Sequence, residues 1–301
     1  MSGSEAVYGA PPPALAQSGP GAVQVSPLTP GASAIEALAD HSLDRMVVYA
    51  PPGTGERRYA LAHGLRALQV GGELIAMAPK DKGGMRLRGE MESFGCAANE
   101  SARRHHRIIT SLTPANPEGV QEAIAAGGPQ IAPRLGLWSQ PGVFSWDRLD
   151  PGTGLLLETL TPMAGKGADL GCGIGLIGCE LLKSAEVTSL LLIDIDARAV
   201  AAARRNIADP RASFEHGDVR RHAQADLDFV VMNPPFHDAG HEDRALGQAF
   251  IAAAATRLKS GGVCRMVANV GLPYEAVLQA CFSKVTLVTQ AHGYKVHEAR
   301  R

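Results

Sequence analysis

Between residues 136 and 301 the hydrophobic positions gather into short blocks separated by polar, glycine-bearing turns. These blocks predict strands at Gly167–Leu170, Leu190–Asp194, Ala212–Glu215, Leu227–Met232 and Val263–Ala268, with a closing pair at Lys284–Thr289 and Tyr294–Glu298. The longer stretches between them predict helices at Leu176–Lys183, Ala197–Ile207, Glu242–Lys259 and Pro273–Cys281. A proline suits the first turn of the last one, where its missing N–H costs nothing. Strands alternating with helices make a doubly wound α/β sheet, whose ligands bind at the carboxyl ends of the strands.

One piece of this pattern occurs twice. Met46-Val47-Val48-Tyr49-Ala50-Pro51-Pro52 resembles Phe229-Val230-Val231-Met232-Asn233-Pro234-Pro235. Each is followed by a helical stretch, then a double glycine, then another apolar strand: Gly71-Gly72 before Glu73–Ala78, and Gly261-Gly262 before Val263–Ala268. A repeat at so large a period reads as a duplicated β-loop-α-β unit. The glycine-rich loop starting at Asp169 lies 64 residues before Asn233, whereas only 49 residues precede Ala50. The first copy is therefore expected to lack that loop and to be a truncated, non-catalytic relative of the second.

Composition sharpens the division. Residues 1–31 hold six prolines and five glycines against a single charged residue, Glu5. So many breakers with so little periodic apolar surface predict disorder. The expected organisation is a disordered Pro/Gly/Ala-rich tail at 1–33, a truncated domain at 34–135 and a complete domain at 136–301. Lys plus Arg total 29 and Asp plus Glu 30, a net charge of -1, which excludes a protein that coats nucleic acid by bulk positive charge. No apolar run approaches the roughly 18 residues of a membrane helix, and the N-terminus lacks the features of a secretory signal, so a cytoplasmic chain is expected. Five scattered cysteines, Cys96, Cys172, Cys179, Cys264 and Cys281, have neither zinc-ligand spacing nor a disulfide pattern, and no metal is expected.

The candidate chemistry sits in the second copy. In Asp169-Leu170-Gly171-Cys172-Gly173-Ile174-Gly175, after a strand and before a helix, glycines let the backbone approach a ligand closely. The overlapping Gly173–Gly178 stretch fits GxGxxG and raises a dinucleotide site. Asp169 argues against it, because a carboxylate beside the loop repels a pyrophosphate but attracts a cationic amino-acid end. S-adenosylmethionine has such an end and no phosphate. Asp194 ends the next strand, 19 residues after Gly175, where a carboxylate accepts both hydroxyls of a ribose. Asp196 fits the cap of the following helix. Asp218 is placed to meet an adenine amino group. In Asn233-Pro234-Pro235-Phe236, the Asn side-chain oxygen and the Pro234 carbonyl both accept hydrogen bonds, the prolines stiffen the turn, and Phe236 offers a face to a planar base.

The glycine loop together with Asn233–Phe236 resembles the class I S-adenosylmethionine-dependent methyltransferases that act on amino groups. More narrowly, Pro141–Leu157, Asn233–Asp238, Val267-Ala268-Asn269 and Leu272-Pro273-Tyr274 resemble the ribosomal RNA guanine-N2 methyltransferases, of the small-subunit methyltransferase C type and its large-subunit relative. The resemblance implies a Rossmann-like catalytic sheet preceded by an inactive, methyltransferase-like domain, which agrees with the duplication. It also implies a small-subunit ribosomal RNA, free or in a ribosomal subunit, as partner, with no membrane and no metal, and the chain is expected to act as a monomer. Asp169, Gly171, Gly173, Gly175, Asp194, Asp218 and Asn233 become the expected cofactor residues, and Asn233, Pro234, Pro235 and Phe236 the expected catalytic ones. RNA contacts are expected at Lys80, Lys82, Arg86, Arg88, Arg103, Arg104 and Arg107.

The expected reaction is direct transfer of the methyl group to an unstacked guanine N2, driven mainly by positioning. Another planar amino group, of adenine or a protein glutamine, suits the same turn. A non-catalytic RNA-binding ribosome assembly factor and a nicotinamide oxidoreductase are the readings from other classes.

Overall fold

Phe229 and Val231 alternate with Val230 and Met232 along one strand, yet all four are buried, because helices cover both faces of the sheet they belong to. The computed structural model describes residues 4–222, 224–235, 237–238, 241–242 and 244–301 and divides the chain into two units. One comprises residues 1–129 and 140–142, the other residues 130–139 and 143–301.

The first unit contains β1 (Glu5–Tyr8), β2 (Val23–Gln24), β3 (Leu43–Tyr49), α1 (Thr54–Ala67), β4 (Leu68–Pro79), α2 (Leu87–Ser93), β5 (Asn99–Arg103), β6 (His106–Leu112) and α3 (Val120–Gly127). Its six strands run in the order β2-β1-β3-β4-β6-β5, with β6 antiparallel to both neighbours. The expectation of a disordered tail is overturned here. β1 pairs in parallel with β3, Glu5 opposite Arg45 through Tyr8 opposite Val48, and Ala6, Val7, Tyr8 and Val25 are buried. Four residues suffice because β3 supplies the pairing and the Glu5–Arg45 ion pair anchors the strand's start. The prolines of 11–13 fall in the connection after β1, where they break no ladder. The first copy is accordingly less truncated than its length suggested. It keeps the strand before the loop and has no helix between β1 and β2.

The second unit opens with a hairpin, β7 (Gln130–Ala132) and β8 (Leu137–Ser139), joined to the rest through hydrogen bonds between Trp138 and Asn206. It continues with α4 (Pro151–Thr159), β9 (Gly165–Leu170), α5 (Leu176–Leu181), β10 (Val187–Asp194), α6 (Ala197–Asn206), β11 (Ala212–His216) and β12 (Leu227–Met232). After the short pair β13 (His237–Asp238) and β14 (His241–Glu242) come α7 (Arg244–Arg257), β15 (Leu258–Asn269), α8 (Glu275–Cys281), β16 (Lys284–Ala291) and β17 (Tyr294–Arg300). Every strand and helix expected from the sequence in this half is present. The helix α4 was not expected, since Gly152 and Gly154 inside it disguise its start.

The seven-stranded order is β11-β10-β9-β12-β15-β17-β16, parallel except for β17. The chain moves outward from β9 in one direction through β10 and β11, then restarts on the other side at β12. The switch point lies between the carboxyl ends of β9 and β12, where a doubly wound sheet opens a crevice. One face packs Val230, Met232 and Met266 against Phe250 and Ile251 of α7. The other packs Phe229, Val231 and Leu192 against Leu156 and Ile177 of α4 and α5. Each such fully buried side chain contributes roughly 1.5–3 kcal/mol. Gly167 has no side chain because the Phe229 ring occupies that space, 2.0 Å from where a Cβ would stand.

Candidate active site

At the switch point the chain leaves β9 through three left-handed glycines, Gly171, Gly173 and Gly175, with φ of +77°, +53° and +90°. A side chain is strained in that region, so glycine is required here for the turn itself. Asp194, at the end of β10, ties the loop down. Its Oδ2 accepts from the Gly173 amide at 2.8 Å and its Oδ1 from the Asp196 amide at 2.9 Å. Burial pushes its carboxyl up to about 6 despite those amides, so it is ionised above that pH. Asp196 caps α6 as expected, accepting from the Arg198 amide at 2.9 Å.

A cleft opens above this loop. Gly171 and Gly173 form its floor, Phe144, Asp150 and Thr153 stand on its walls, and Asn233 projects from the end of β12. A Cβ built on Gly173 would meet nothing within 4 Å, so the space above this glycine is open to the cleft. Gly175 is not in the wall. It starts α5, and a Cβ there would strike Ile207 at 2.9 Å, so its role is helix packing.

Asp169 is also outside the wall. It is fully buried in β9, and neither carboxylate oxygen has a hydrogen-bond donor in good geometry. Burial, reinforced by the neighbouring Asp194 carboxyl, pushes it up to about 8, with slight relief from the Gly178 amide. An acid left so poorly compensated favours positive charge nearby. Asp218 is already committed: its carboxylate receives the Arg220 guanidinium at 2.8 and 2.9 Å and the Arg220 amide at 2.9 Å, which holds it below the usual carboxylate range. Neither Asp218 nor Asp194 is part of the cleft wall itself. Phe236 lies outside the described residues.

Asp150 and Thr153 were missed by sequence reasoning. Asn233 donates both hydrogens of its Nδ2, to Asp150 Oδ2 at 3.0 Å and to Thr153 Oγ1 at 2.9 Å. Asp150 in turn caps α4, accepting from the Thr153 amide at 2.8 Å, with Pro151 at the first helical position. The Asp-Pro pair before Gly152-Thr153 was the available signal, since aspartate caps and proline starts helices.

The basic residues sort themselves. Arg88 pairs with Glu92, Arg107 with Glu100, and Arg86 donates to Thr54. Lys80, Arg103 and Arg104 are exposed and carry no ion pair among the described residues. They share one place, because Arg104 and His105 form the tight turn between β5 and β6, with φ of +47° and +62°, and the Lys80 amide donates to His105 at 2.9 Å.

Among the described residues no lysine or arginine faces the cleft, and buried acids lie under its floor and at its edge, so phosphates are unwelcome there. A glycine cradle at the switch point of a doubly wound sheet, beside an asparagine amide whose nitrogen is tied back by Asp150 and Thr153, is the arrangement of a class I S-adenosylmethionine-dependent methyltransferase. The methyltransferase small domain family model matches residues 134–298. Ribosomal RNA small subunit methyltransferase C of Erwinia tasmaniensis is 32% identical over 276 residues, 88% of this chain and 77% of that protein. Its namesake from Klebsiella pneumoniae is 33% identical over 266 residues, 84% and 75% of the two chains. A solved T. Thermophilus 16S rRNA N2 methyltransferase, in complex with AdoMet and guanosine, matches 100% of this chain and 89% of its own with a TM-score of 0.81 and 25% identity. The chain belongs to the methyltransferase small domain family and, within it, to the ribosomal RNA small subunit methyltransferase C group.

Proposed function

We propose that this protein transfers the methyl group of S-adenosylmethionine to the exocyclic N2 of a guanine in small-subunit ribosomal RNA, using Asn233 and the Pro234 carbonyl to hold the amino group. The observation that carries the reading is the Asn233 amide in the cleft wall, whose two hydrogens are committed to Asp150 and Thr153, which leaves its oxygen to accept from an incoming donor beside the glycine cradle. Gly171 and Gly173 would support the cofactor by backbone approach. Asp194, ionised above about pH 6, has a free lone pair on each oxygen for the ribose hydroxyls. Asp169, protonated below about pH 8 when the cleft is empty, would be driven to ionise by a cationic amino-acid end and would favour it through that charge rather than by contact.

When bound, the cofactor supplies a methyl group on a sulfonium, which is already a good leaving group. What the protein must add is placement. Asn233 Oδ1 and the Pro234 carbonyl accept the two N–H bonds of the target, which turns the nitrogen lone pair out of the base plane and toward the cofactor. Lys80, Arg103 and Arg104 are the residues we assign to the RNA backbone, with Arg88 and Arg107 held in local ion pairs and Arg86 donating to Thr54. The chain is placed in the cytoplasm with its ribosomal substrate.

Mass spectrometry of ribosomal nucleosides from a strain lacking the gene, with primer extension to map the position, tests this. Loss of one N2-methylguanosine from small-subunit RNA is expected. Its full retention, or loss of a methylated adenine instead, overturns the assignment.

A further inference from the structure

Asn233 presents its oxygen to the cleft only if its amide is held one way round. An amide in a polar cleft turns over readily unless the groups facing its nitrogen are placed to accept rather than donate. Here they are. Asp150 Oδ2 accepts from Asn233 Nδ2 at 3.0 Å, from the Thr153 amide at 2.8 Å and from the Thr153 hydroxyl at 3.3 Å. With its hydrogen donated to Asp150, Thr153 Oγ1 offers a lone pair to the other Asn233 hydrogen at 2.9 Å. Asp150 is 9% exposed and Thr153 7%, so water competes poorly for either. Asn233 Oδ1 accepts no hydrogen bond among the described residues.

We propose that Asp150 and Thr153 are positioning residues that lock the Asn233 amide with its oxygen toward the substrate, and so make the site select an amino group over a carbonyl. The proposal rests on the reading of Asn233 as the residue that receives the target amine. Reversing the amide would set its carbonyl oxygen against the Asp150 carboxylate and present N–H groups to the cleft, which would then favour a carbonyl such as the guanine O6. The buried carboxylate also polarises the amide and enriches charge on Oδ1, where positive charge grows on the attacking nitrogen during transfer. Both positions come from the first turn of α4, which makes that helix part of the machinery without either residue touching the reacting atoms.

Asp150→Ser separates this role from helix capping, because serine still caps α4 but is too short to meet Asn233. With undermethylated small-subunit ribosomal RNA and radiolabelled cofactor, kcat should fall roughly 10- to 100-fold in Asp150→Ser and about tenfold in Thr153→Val. Cofactor affinity by calorimetry and the thermal midpoint should stay close to those of the parent protein. Asp150→Asn, which can offer its side-chain oxygen in the same place, should recover most of the rate, as should Thr153→Ser. The proposal is overturned if Asp150→Ser keeps full kcat while Asn233→Ala is inactive. A fall in cofactor affinity matching the fall in kcat, or no recovery in Asp150→Asn, would overturn it equally. Full activity in Asn233→Ala would instead remove the reading on which it stands.

Discussion

In the second unit Asn233 follows β12 and lines a cleft; in the first, Ala50 follows β3 and the carbonyls of Pro51 and Pro52 accept hydrogen bonds from an arginine. The frameworks otherwise correspond strand for strand, β2-β1-β3-β4-β6-β5 against β10-β9-β12-β15-β17-β16. Gly9 leaves β1 at φ +78°, as Gly171 leaves β9 at +77°. Even the double glycines match: a Cβ on Gly72 would meet a backbone oxygen at 2.9 Å and a Leu68 methyl at 3.1 Å, and one on Gly262 a backbone oxygen at 2.9 Å and a Leu258 methyl at 3.0 Å. What differs is what fills the crevice. Arg57 is fully buried, donates to the Pro51 and Pro52 carbonyls at 3.1 and 2.7 Å, and forms a two-pronged pair with Glu90 at 2.7 Å each. The fourth residue of α1 is thus an arginine, whereas the fourth of α7 is Gly247, where a Cβ would collide with the Tyr274 hydroxyl. One copy has spent its crevice on a buried ion pair, and the other has kept it open.

Swapping the turn residues tests the contrast most severely. Asn233→Ala should reduce methyl transfer below detection while cofactor affinity stays within about threefold, and a comparable loss of both in calorimetry would refute the role. The reciprocal Ala50→Asn should create no second cofactor site, so titration should still show one cofactor per chain. Removing the plug comes next in size. Arg57→Met strands the buried Glu90 carboxylate and should cost about 3–5 kcal/mol in urea unfolding, most of it regained in the double variant Arg57→Met/Glu90→Leu. An unchanged midpoint in the single variant would show that the pair does not hold the first unit together.

A smaller effect concerns Asp169, which has no counterpart in the first copy's loop. Its carboxyl is raised from 3.8 to about 8, so between those values the folded state keeps a proton that the unfolded state releases. Stability therefore falls as pH rises through that window. In Asp169→Asn the difference in thermal midpoint between about pH 5 and pH 8 should shrink, and an identical pH profile would contradict the burial argument. The smallest effect is expected at the β5–β6 turn. Replacing Lys80, Arg103 and Arg104 by glutamine should weaken RNA binding uniformly and flatten its salt dependence by about 0.7–0.9 per charge removed. An unaltered slope would move the RNA contact elsewhere.

Alternation of short apolar blocks with helical stretches made nearly the whole second sheet legible, because its strands are buried on both faces and its turns carry their own glycine and proline signals. The glycine loop, Asp194 and Asn233 were legible too, since each is a strand end in a sheet whose ligands bind at strand ends. Asp218 shows the limit: an acid after a strand suits an adenine contact by position, and the Arg220 guanidinium that holds its carboxylate could not be read from the sequence. Glu5–Tyr8 shows the other limit, for four residues carry no periodicity, and their strand exists because β3 offers it a partner.

Sequence alone determined the class of fold, the duplication and the Asn233 turn to which we assign the target amine, since these depend on local residue order and spacing. Tertiary structure decided which way the Asn233 amide points, through residues about 80 positions away, and which of the two crevices stays open, through an arginine that no local rule distinguishes from a surface one. Both outcomes rest on hydrogen bonds between segments remote in the chain, whose strength comes from burial that only the assembled sheet and helices provide.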